Sequence, residues 1–423
     1  MLEITRIRTD RDVIVEGLKK RGIDVSATID SILSLDEQWR AKKAEMESVQ
    51  SESNKISKEI GQLFREGKTE EANAAKEKTG VLKTQEQDLK QEVNELETQI
   101  QNKLYEIPNV PQDIVPSGKS EDDNEIVEEV GEKVQFKGNA IPHWELADKY
   151  GLIDFEIGVK VTGAGFPFYK GKGAKLQRGL INFFLDEAEK AGYEEVIPPL
   201  VVNEESGIGT GQLPDKEGQM YHVTEDDLYL IPTAEVPLTN MYRDVILPNK
   251  DFSVKITGYT PCFRREAGSY GKDVRGLNRL HQFDKVELVR IEHPDNSQKA
   301  LEEMVDHVKG LLEKLGLHYR VLRLCGGDLG FTSAITYDFE VYSAAQERWL
   351  EVSSVSLFET FQSNRLKLRF RGEDKKTQLC HTLNGSALAL PRIVAALLEN
   401  HQTDEGVKIP EALVKYVGFD MIG

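Results

Sequence analysis

The chain has 423 residues with a formal net charge of −18, and 39% of its residues are hydrophobic and 30% charged. This length allows two or three domains. The acidic balance argues against a protein coated in basic surface for nucleic acid, although a local stripe of Lys and Arg could still bind RNA phosphates. No apolar run reaches 18 residues, so we expect no transmembrane helix and no membrane partner.

The N-terminal residues and the cysteines favour a reducing compartment. The first twelve residues, MLEITRIRTDRD, lack the apolar core of a secretory signal. Cys262, Cys325 and Cys380 are far apart and odd in number, which favours neither a disulfide framework nor a CxxC metal site. The eight histidines show no HxxxH or HExxH spacing, so zinc is not expected. We therefore predict a cytoplasmic protein.

A long stretch rich in Glu, Lys, Gln and Ala precedes the first proline, Pro108. In its first half, mostly apolar positions are spaced alternately three and four residues apart, which is the heptad pattern of a coiled coil. A break at Gly67 follows, with Thr69 as a helix cap. The first set of positions is Ile32, Leu35, Trp39, Lys42, Met46, Val49, Ser53, Ile56, Ile60 and Leu63, and the second is Leu82, Leu89, Val93, Leu96 and Ile100.

Two apolar seams separated by one turn predict an antiparallel helical hairpin, with arms about 50 Å long at about 1.5 Å per residue. Residues 31–100 contain 11 Lys or Arg and 15 Asp or Glu, so this arm is not a basic rod. A dimerisation rod or a solvated charged helix is an alternative interpretation. Any RNA contact would come from selected cations, and the candidates are Lys42, Lys43, Lys55, Lys58, Arg65 and Lys68.

The second half of the chain has a different pattern. An acidic segment over residues 121–132 follows the prolines, and from about residue 150 short β-rich runs alternate with Gly and Pro turns. Helices are expected over residues 176–191 and 301–315. Strands without regular βαβ alternation favour an α+β fold on an antiparallel sheet. We predict an N-terminal domain over 1–107, a linker and entry segment over 108–150, and a catalytic domain over 151–423.

The common glycine-rich nucleotide motifs are missing from the sequence. There is no GxxxxGK[ST] loop and no GxGxxG before a helix. The run GIGTG at 207–211 lacks a lysine, and we interpret it as a mobile loop. A nucleotide would therefore have to be held by charged side chains on a sheet.

One segment is suited to binding a polyanion. CFRREAGS at 262–269 continues through Arg275 and Arg279 to HQFDKVE at 281–287. Arginines at both ends of such a loop can close over phosphates, because the guanidinium group makes bidentate contacts and keeps its charge. Phe283 could stack on a base. The alternative is a surface hairpin with solvated charges.

Two further clusters support a nucleotide site. Glu351 and Ser354, in the run EVSS, combine a carboxylate with a hydroxyl and suit Mg²⁺, which prefers oxygen ligands. In NGSALALPR at 384–392, small residues at alternate positions would let the backbone pass close under a ligand, and Arg392 follows at a helix start. Ordinary strand-to-helix packing is the alternative for this second cluster.

Together these clusters resemble the signature motifs of class II aminoacyl-tRNA synthetases. The FRxE motif corresponds to residues 263–266, and the closing motif to 385–392, with Ala387 and Ala389 where many members have Gly. The dimer motif corresponds to 176–199, ending in Pro199. Within this class the chain resembles the bacterial-type seryl-tRNA synthetases over nearly its whole length, through TAE at 233–235, EVSS at 351–354, HTLNGS at 381–386 and the hairpin.

The resemblance implies a fold and a reaction. The fold is an α+β catalytic domain on an antiparallel sheet, preceded by a helical hairpin that reaches the long variable arm of a tRNA bound at the other subunit of a homodimer. The reaction activates L-serine with ATP, releases pyrophosphate, and transfers serine to the 3′ end of tRNA(Ser), with tRNA(Sec) as a further acceptor. Mg²⁺ is implied, whereas the zinc-dependent archaeal type is not.

The resemblance also implies residue roles. Arg264 would hold the α-phosphate and the serine carboxylate, Glu266 would accept from the adenine amino group, and Arg392 would hold the far side of the triphosphate. Glu351 and Ser354 would hold Mg²⁺. The implied ATP-binding residues are Arg264, Arg265, Glu266, Arg279, Phe283, Glu351, Val352, Ser353, Ser354 and Arg392. The implied serine-binding residues are Thr233, Ala234, Glu235, Arg264, Glu287, Asn384 and Ser386.

Two other hypotheses fit the same fold. A paralogue could ligate an amino acid to a carrier protein or form a free amide, but such an enzyme has no use for the hairpin. A regulatory protein could carry a decayed synthetase domain, but intact Arg264, Glu266, Glu287, Glu351 and Arg392 argue against decay. Serine-dependent ATP–pyrophosphate exchange tests the second hypothesis, and charging of total tRNA tests the first.

Overall fold

The structure is a computed structural model that describes residues 1–136, 138–215, 218–248, 252–266 and 275–423. The chain forms two compact units. One consists of residues 2–16 and 24–108, and the other of Met1 with residues 17–23 and 109–423.

Four helices open the chain, and the last two form the predicted hairpin. They are α1 (Ile4–Thr9), α2 (Arg11–Leu18), α3 (Ser26–Arg65) and α4 (Thr69–Leu104). Helices α3 and α4 contain 40 and 36 residues, so they are about 60 Å and about 54 Å long. Gly67, at the turn between them, has a left-handed φ of +75°, a conformation that glycine adopts readily.

The seam between α3 and α4 follows the predicted spacing. Val49 and Ile56 of α3 pack with Leu82 and Leu89 of α4 in one buried cluster. Ala72 and Thr79 are buried as well, so the seam extends to the beginning of α4. The sequence pattern did not reveal this extension because alanine and threonine are weak markers of a buried stripe.

The second unit contains the remaining helices and all the strands that the structure describes. The helices are α5 (His143–Lys149), α6 (Phe155–Val161), α7 (Gly171–Lys190), α8 (Glu204–Thr210), α9 (Glu235–Asn240), α10 (Ser297–Lys314), α11 (Phe361–Leu366), α12 (Leu390–Asn400) and α13 (Glu411–Val417). The strands are β1 (Glu125–Val130), β2 (Ile153–Asp154), β3 (Phe168–Tyr169), β4 (Glu194–Glu195), β5 (Val201–Val202), β6 (His222–Val223), β7 (Leu228–Leu230), β8 (Ile246–Leu247), β9 (Ser253–Phe263), β10 (Gln282–Glu292), β11 (Tyr319–Arg323), β12 (Ile335–Ser343), β13 (Arg348–Glu359), β14 (Arg369–Arg371), β15 (Thr377–Leu379), β16 (His381–Ala389), β17 (Val407–Lys408) and β18 (Met421–Ile422).

A large sheet dominates this unit. Within the described residues its strand order is β1-β11-β12-β13-β16-β10-β9-β4. Neighbouring strands pair antiparallel, except that the short edge strand β4 runs parallel to β9. The predicted α+β class with an antiparallel sheet is therefore confirmed. Strand β1 lies within the segment 108–150 that the sequence analysis treats as a linker.

Alternation along β10 separates a packed face from a polar face. Val286 and Leu288 are buried in the main core, which also contains Met304 of α10 and Val394 of α12. Successive side chains of a strand point to opposite faces. Phe283, Lys285 and Glu287 therefore lie on the other face, and this face carries the site described below.

Two helix boundaries and one loop differ from the sequence expectations. The predicted helices at 176–191 and 301–315 begin earlier, at Gly171 and Ser297. The GIGTG run was expected to be a loop, and this was wrong, because residues 204–210 form α8. The Asn203 side chain caps α8 by accepting from Ser206 N. Gly209 lets α8 pack closely against α11 and α9, because a Cβ there would lie 2.6 Å from Leu366 Cδ2 and 3.0 Å from Asn240 Oδ1.

Candidate active site

Arg264 lies immediately after β9 and is fixed through its backbone. Its N–H donates to the carbonyl of His281 at 2.9 Å, and its own carbonyl lies 3.1 Å from His281 Nδ1. The guanidinium carbon stands 5.2 Å from the centre of the Phe283 ring. The Arg264 side chain is thus positioned over an aromatic ring, while its backbone N–H and carbonyl both contact His281, the residue just before β10.

Glu266 and Arg279 face each other across the connection between β9 and β10. Arg279 Nε lies 3.3 Å from Glu266 Oε2, and Glu266 has a left-handed φ of +48°. Arg265 is exposed, and its N–H donates to the Gln219 carbonyl at 2.8 Å. The Ala-Gly-Ser part of the predicted phosphate loop, residues 267–269, lies outside the described residues.

A β-bulge brings Glu351 and Ser354 to the same side of β13. Residues three apart on a regular strand point to opposite faces. In the pairing of β13 with β12, however, the register shifts between Glu351 and Ser353, which inserts Val352 as an extra residue. Glu351 and Ser354 consequently line one cavity of about 250 Å³.

Arg392 reaches the same cavity from the start of α12. Its Nη1 donates to the Glu351 carbonyl at 2.6 Å and lies 3.6 Å from Glu351 Oε2. Its Nε donates to the Asn278 carbonyl at 3.2 Å. The cavity therefore combines two arginines, Arg264 and Arg392, with an aromatic ring and carboxylates. Its lining residues are Arg264, Glu266, Leu277, Asn278, Arg279, Leu280, Phe283, Lys285, Glu351, Val352, Ser353, Ser354, Ser386, Ala389, Pro391 and Arg392.

Glu287 is the centre of a buried polar cluster beside this cavity. Thr233 Oγ1 donates to its Oε2 at 2.8 Å, and Lys285 Nζ lies 2.6 Å from the same oxygen. Asn384 Nδ2 lies 3.3 Å from Glu287 Oε1. Thr233, Glu287 and Asn384 were predicted as serine-binding residues. Lys285 stands in the HQFDKVE run at 281–287, but no role was predicted for it, and its contact with Glu287 follows from the register of β10.

Glu235 forms the second carboxylate of the cluster and is held by a residue that the sequence analysis missed. Gln362 Nε2 donates to Glu235 Oε1 at 2.6 Å, and Gln362 in turn accepts from Thr382 Oγ1 at 2.8 Å. Burial, together with the nearby Glu287 charge, raises the pKa of Glu235 to about 7, although the hydrogen bond from Gln362 acts to lower it.

The other predicted site residues differ in how they are presented. Ala234 is fully buried before α9, and Val352 is buried in the core, so either could contact a ligand only through its backbone. Ser353 donates to the Ser386 carbonyl at 2.7 Å, which ties β13 to β16. The two strands approach closely at Gly385, where a Cβ would lie 3.0 Å from Val355 Cγ2. The small residues at 385–389 were the sequence signal for this close approach.

Asp338 is a further polar residue that the sequence analysis did not single out. It accepts a short hydrogen bond from Ser354 Oγ. Burial, followed by repulsion from Glu351, raises the pKa of Asp338 well above its usual range. Asp338 and Glu351 thus repel each other next to the cavity when both are ionised, and a bound cation would stabilise their ionised forms.

The six candidate cations of the hairpin have different environments. Lys42 lies in the seam and forms a 2.8 Å ion pair with Glu92, and Lys43 stacks 4.5 Å from the centre of the Trp39 ring. Lys68 pairs with Glu66 at 2.9 Å. The remaining three, Lys55, Lys58 and Arg65, are exposed on the outer side of α3.

The described residues contain neither a membrane-spanning helix nor a cluster of metal ligands. None of their helices is both long enough and apolar enough to cross a membrane. Nor do their His, Cys, Asp and Glu side chains gather in any group of three or more that could hold a metal ion.

Two family models match the chain. The model described as "tRNA synthetase class II core domain (G, H, P, S and T)" matches residues 220–401, which contain the cavity and the polar cluster. The chain is thus a class II aminoacyl-tRNA synthetase. The model described as "Seryl-tRNA synthetase N-terminal domain" matches residues 1–111, which contain the hairpin.

Full-length relatives identify the family within this class. The serine–tRNA ligase of Salinibacter ruber is 54% identical over 100% of this chain and 99% of its own length. That of Akkermansia muciniphila is 46% identical over 100% and 99%. The crystal structure of seryl-tRNA synthetase from Pyrococcus horikoshii complexed with ATP superimposes with a TM-score of 0.92 at 36% identity, covering 100% of this chain and 99% of that chain.

The chain therefore belongs to the seryl-tRNA synthetase family. Its reaction is the ATP-dependent activation of serine followed by transfer of serine to tRNA. The carrier-protein paralogue and the decayed regulatory domain are not supported by these relationships, because the whole chain, hairpin included, aligns with serine–tRNA ligases.

Proposed function

We propose that the cavity and the adjoining polar cluster together form the site of seryl-adenylate synthesis. The observation that carries this proposal is that Arg264, Glu266, Phe283, Glu351 and Arg392, which are distant in sequence, line one cavity of about 250 Å³. The buried carboxylates of the polar cluster lie beside it. One compartment thus suits a triphosphate, and the other suits an ammonium group.

The polar cluster would bind serine. Glu235 and Glu287 supply negative charge for the ammonium group, and Thr233, Asn384 and Ser386 supply polar partners for the ammonium and the hydroxyl. A site that hydrogen-bonds a substrate hydroxyl rejects an analogue without it far more strongly than an apolar pocket does. Lys285 already neutralises part of the Glu287 charge, so it would limit repulsion between the two carboxylates before serine binds.

The cavity would bind ATP in a defined orientation. Phe283 would stack on the adenine ring, and Glu266 would accept from the adenine amino group. Arg264 would contact the α-phosphate and the serine carboxylate, while Arg279 and Arg392 would hold the outer phosphates. ATP binding by this chain is supported by the ATP complex of the Pyrococcus horikoshii relative.

The donor set at Glu351 and Ser354 fits Mg²⁺. Both residues line the cavity, and their ligand atoms are oxygens. The Ser354 hydroxyl donates a hydrogen bond to Asp338, which leaves the lone pairs of Ser354 Oγ available to a cation. When bound, Mg²⁺ would neutralise phosphate charge. The protein's own part is to place these oxygens on one side of β13 through the bulge at Val352.

No nucleophilic side chain is required for the first step. The serine carboxylate oxygen attacks the α-phosphorus of ATP, the bond from this phosphorus to the bridging oxygen breaks, and pyrophosphate leaves. Arg264 would contact both reacting groups and stabilise the charge that develops between them. The protein therefore contributes mainly positioning and electrostatic stabilisation.

In the second step, a hydroxyl at the 3′ end of tRNA(Ser) attacks the activated carbonyl, and AMP leaves. We propose that the hairpin binds this tRNA, with tRNA(Sec) as a second acceptor, in a cytoplasmic enzyme. The exposed cations Lys55, Lys58 and Arg65 are the best placed of the six candidates, because Lys42, Lys43 and Lys68 are engaged within the arm. The division into domains at residues 107 and 150 stays a prediction.

Serine binding is expected to weaken as the pH falls below 7. The raised pKa of Glu235, about 7, means that this carboxyl is increasingly protonated below that pH in the free enzyme. A protonated Glu235 cannot offer its charge to the serine ammonium. If binding needs the ionised form, the KM for serine in pyrophosphate exchange rises about tenfold between pH 8 and pH 6.

The matched variant for this experiment is Glu235→Gln. It should have a high KM for serine that is nearly independent of pH over the same range, because the titrating group is gone. The KM for ATP, measured in parallel, serves as the internal control. An unchanged serine KM down to pH 6, or an equal slope in Glu235→Gln, would rule out Glu235 as the titrating group.

We also propose a homodimer whose isologous interface includes α7, the segment after β4 and Pro199. Ile197 in this segment is 88% exposed, and β4 is an edge strand of the sheet. An exposed branched apolar side chain next to a sheet edge is suited to burial against its own copy.

Light scattering at micromolar concentration is expected to give the mass of a dimer. Ile197→Glu should raise the dimer dissociation constant at least about a hundredfold, because the interface would bury an unpaired charge. Val13→Glu is the control, since Val13 is 66% exposed but lies on α2. A monomeric wild type with full activity, or equal mass changes in both variants, would contradict the proposed interface.

A further inference from the structure

A buried histidine–glutamate pair lies behind the proposed ATP site. His143 begins α5 and Glu399 lies near the end of α12, and both side chains are 0% exposed. The His143 backbone N–H and its Nδ1 lie 3.0 and 2.6 Å from the same carboxylate oxygen, Glu399 Oε1. The mechanism proposed above uses neither residue.

The hydrogen bonds determine which ring nitrogen carries the proton. The backbone N–H of Leu277 donates to His143 Nε2 at 2.9 Å, so Nε2 must present a lone pair. The ring proton therefore lies on Nδ1 and is donated to Glu399. His143 thus acts as a bridge between the end of α12 and the segment 276–278.

The acceptor end of this bridge, Glu399, is itself firmly held. Gln346 Nε2 donates to Glu399 Oε1 at 3.0 Å, and Ser343 Oγ makes a short hydrogen bond to Oε2. Burial raises the pKa of Glu399, but the hydrogen bonds from His143 and Ser343 outweigh it and the pKa is lowered. The carboxylate that orients His143 is therefore ionised and fixed from several sides.

The segment 276–278 rests directly on the His143 ring. Gly276 has a φ of +70°, and a Cβ there would lie 2.2 Å from His143 Nε2. Asn278 Nδ2 donates to Gln346 Oε1 at 2.9 Å, while the Asn278 carbonyl accepts from Arg392 Nε at 3.2 Å. The same segment thus contacts the buried network on one side and Arg392 on the other.

We propose that His143 is a positioning residue for ATP. Its Nε2 lone pair holds the backbone at Leu277, and this backbone in turn supports the Asn278 carbonyl that orients Arg392 and carries the following Arg279 toward the phosphates. Helix α12 supplies both ends of the connection, because Arg392 and Glu399 lie seven residues apart on it. This inference rests on the proposed ATP-binding roles of Arg392 and Arg279.

Two substitutions at one position separate the two hydrogen bonds of His143. In His143→Gln, the amide oxygen can take the place of Nε2 and accept from Leu277 N–H. In His143→Asn, the shorter amide can replace Nδ1 toward Glu399 but leaves Leu277 N–H without its acceptor. The KM values for ATP and serine in pyrophosphate exchange are measured for both variants, together with their melting temperatures.

We expect His143→Asn to raise the KM for ATP about tenfold or more, because a buried donor loses its partner, with the serine KM within about twofold. His143→Gln should restore the ATP KM to within about threefold of wild type. Equal effects of both variants, no effect of either, or a parallel rise of both KM values would overturn the proposal, because each shows that the acceptor at Nε2 does not act selectively on ATP.

Two further variants keep the test decisive. If His143→Asn does not fold, Glu399→Gln takes its place in the test. Glutamine has nearly the volume of glutamate but accepts a weaker hydrogen bond from the His143 ring, so the ATP KM should again rise with the serine KM unchanged. An unchanged ATP KM in Glu399→Gln would then overturn the proposal. Arg392→Ala tests the underlying function separately: a normal ATP KM there contradicts the role of Arg392, whereas a raised KM there with normal His143→Asn contradicts only the role of His143.

Discussion

Replacing Arg264 with alanine is expected to reduce serine-dependent ATP–pyrophosphate exchange by at least about 10²–10³-fold while the fold is retained. Losing one preorganised group that stabilises transition-state charge typically has a cost of this order, and Arg264 would contact both reacting groups. The backbone hydrogen bonds with His281 do not involve the Arg264 side chain, so the end of β9 should stay in place.

Arg264→Lys shows whether charge alone is sufficient. Lysine keeps the positive charge but lacks the planar guanidinium group that makes two parallel hydrogen bonds, so we expect only partial recovery of exchange. Arg371→Ala is the control, because Arg371 is an exposed arginine on β14, outside the proposed site. Exchange within a few-fold of wild type in Arg264→Ala would exclude Arg264 from the reaction.

Deleting about residues 28–105 is expected to separate the two steps of the reaction. Adenylate formation should stay within about threefold of wild type, because the proposed ATP and serine residues all come from residues 233–392. Charging of tRNA should fall by more than about a hundredfold, since contacts to several phosphates supply a large share of RNA affinity. Both steps are measured on the same preparation, by pyrophosphate exchange and by tRNA aminoacylation.

A point-mutant pair tests the hairpin without removing it. Lys55→Glu with Lys58→Glu reverses two exposed charges on α3, and charging should fall by about tenfold or more and become more sensitive to salt. Lys83→Glu with Lys90→Glu reverses the same number of exposed charges on α4 and serves as the control. If the deletion leaves charging kinetics unchanged, the hairpin is only a structural rod.

The hairpin shows how far a periodic apolar pattern determines structure. Strongly apolar positions such as Val49 and Leu89 mark the seam directly, whereas Ala72 and Thr79 join it without an apolar signal. Lys42 satisfies the heptad spacing and also appeared to be a candidate for RNA contact by its charge. The structure places it in the seam beside Glu92, a conflict that spacing alone does not resolve.

The candidate site was predictable where short motifs carry it and not where strand register carries it. Arg264, Glu266 and Arg392 stand in recognisable runs. Lys285 and Gln362 are brought in only by the pairing of strands and the packing of α11, which link residues far apart in sequence. The bulge at Val352 likewise leaves no clear mark in the sequence, although it decides that Glu351 and Ser354 face the same cavity.

The small residues of the GIGTG run misled the sequence analysis for a physical reason. Glycine weakens helices when it is exposed, and so the run was expected to be a loop. In α8 these positions are buried, and close packing compensates for the low helix propensity. Local propensity therefore gave way to tertiary contacts here.

The most direct test of the central claim is aminoacylation of total tRNA by the purified protein with each of the twenty amino acids in turn. We expect serine alone to be attached efficiently, and the charged fraction to contain tRNA(Ser). Attachment of a different amino acid, or no attachment of serine despite an intact fold, would contradict the account.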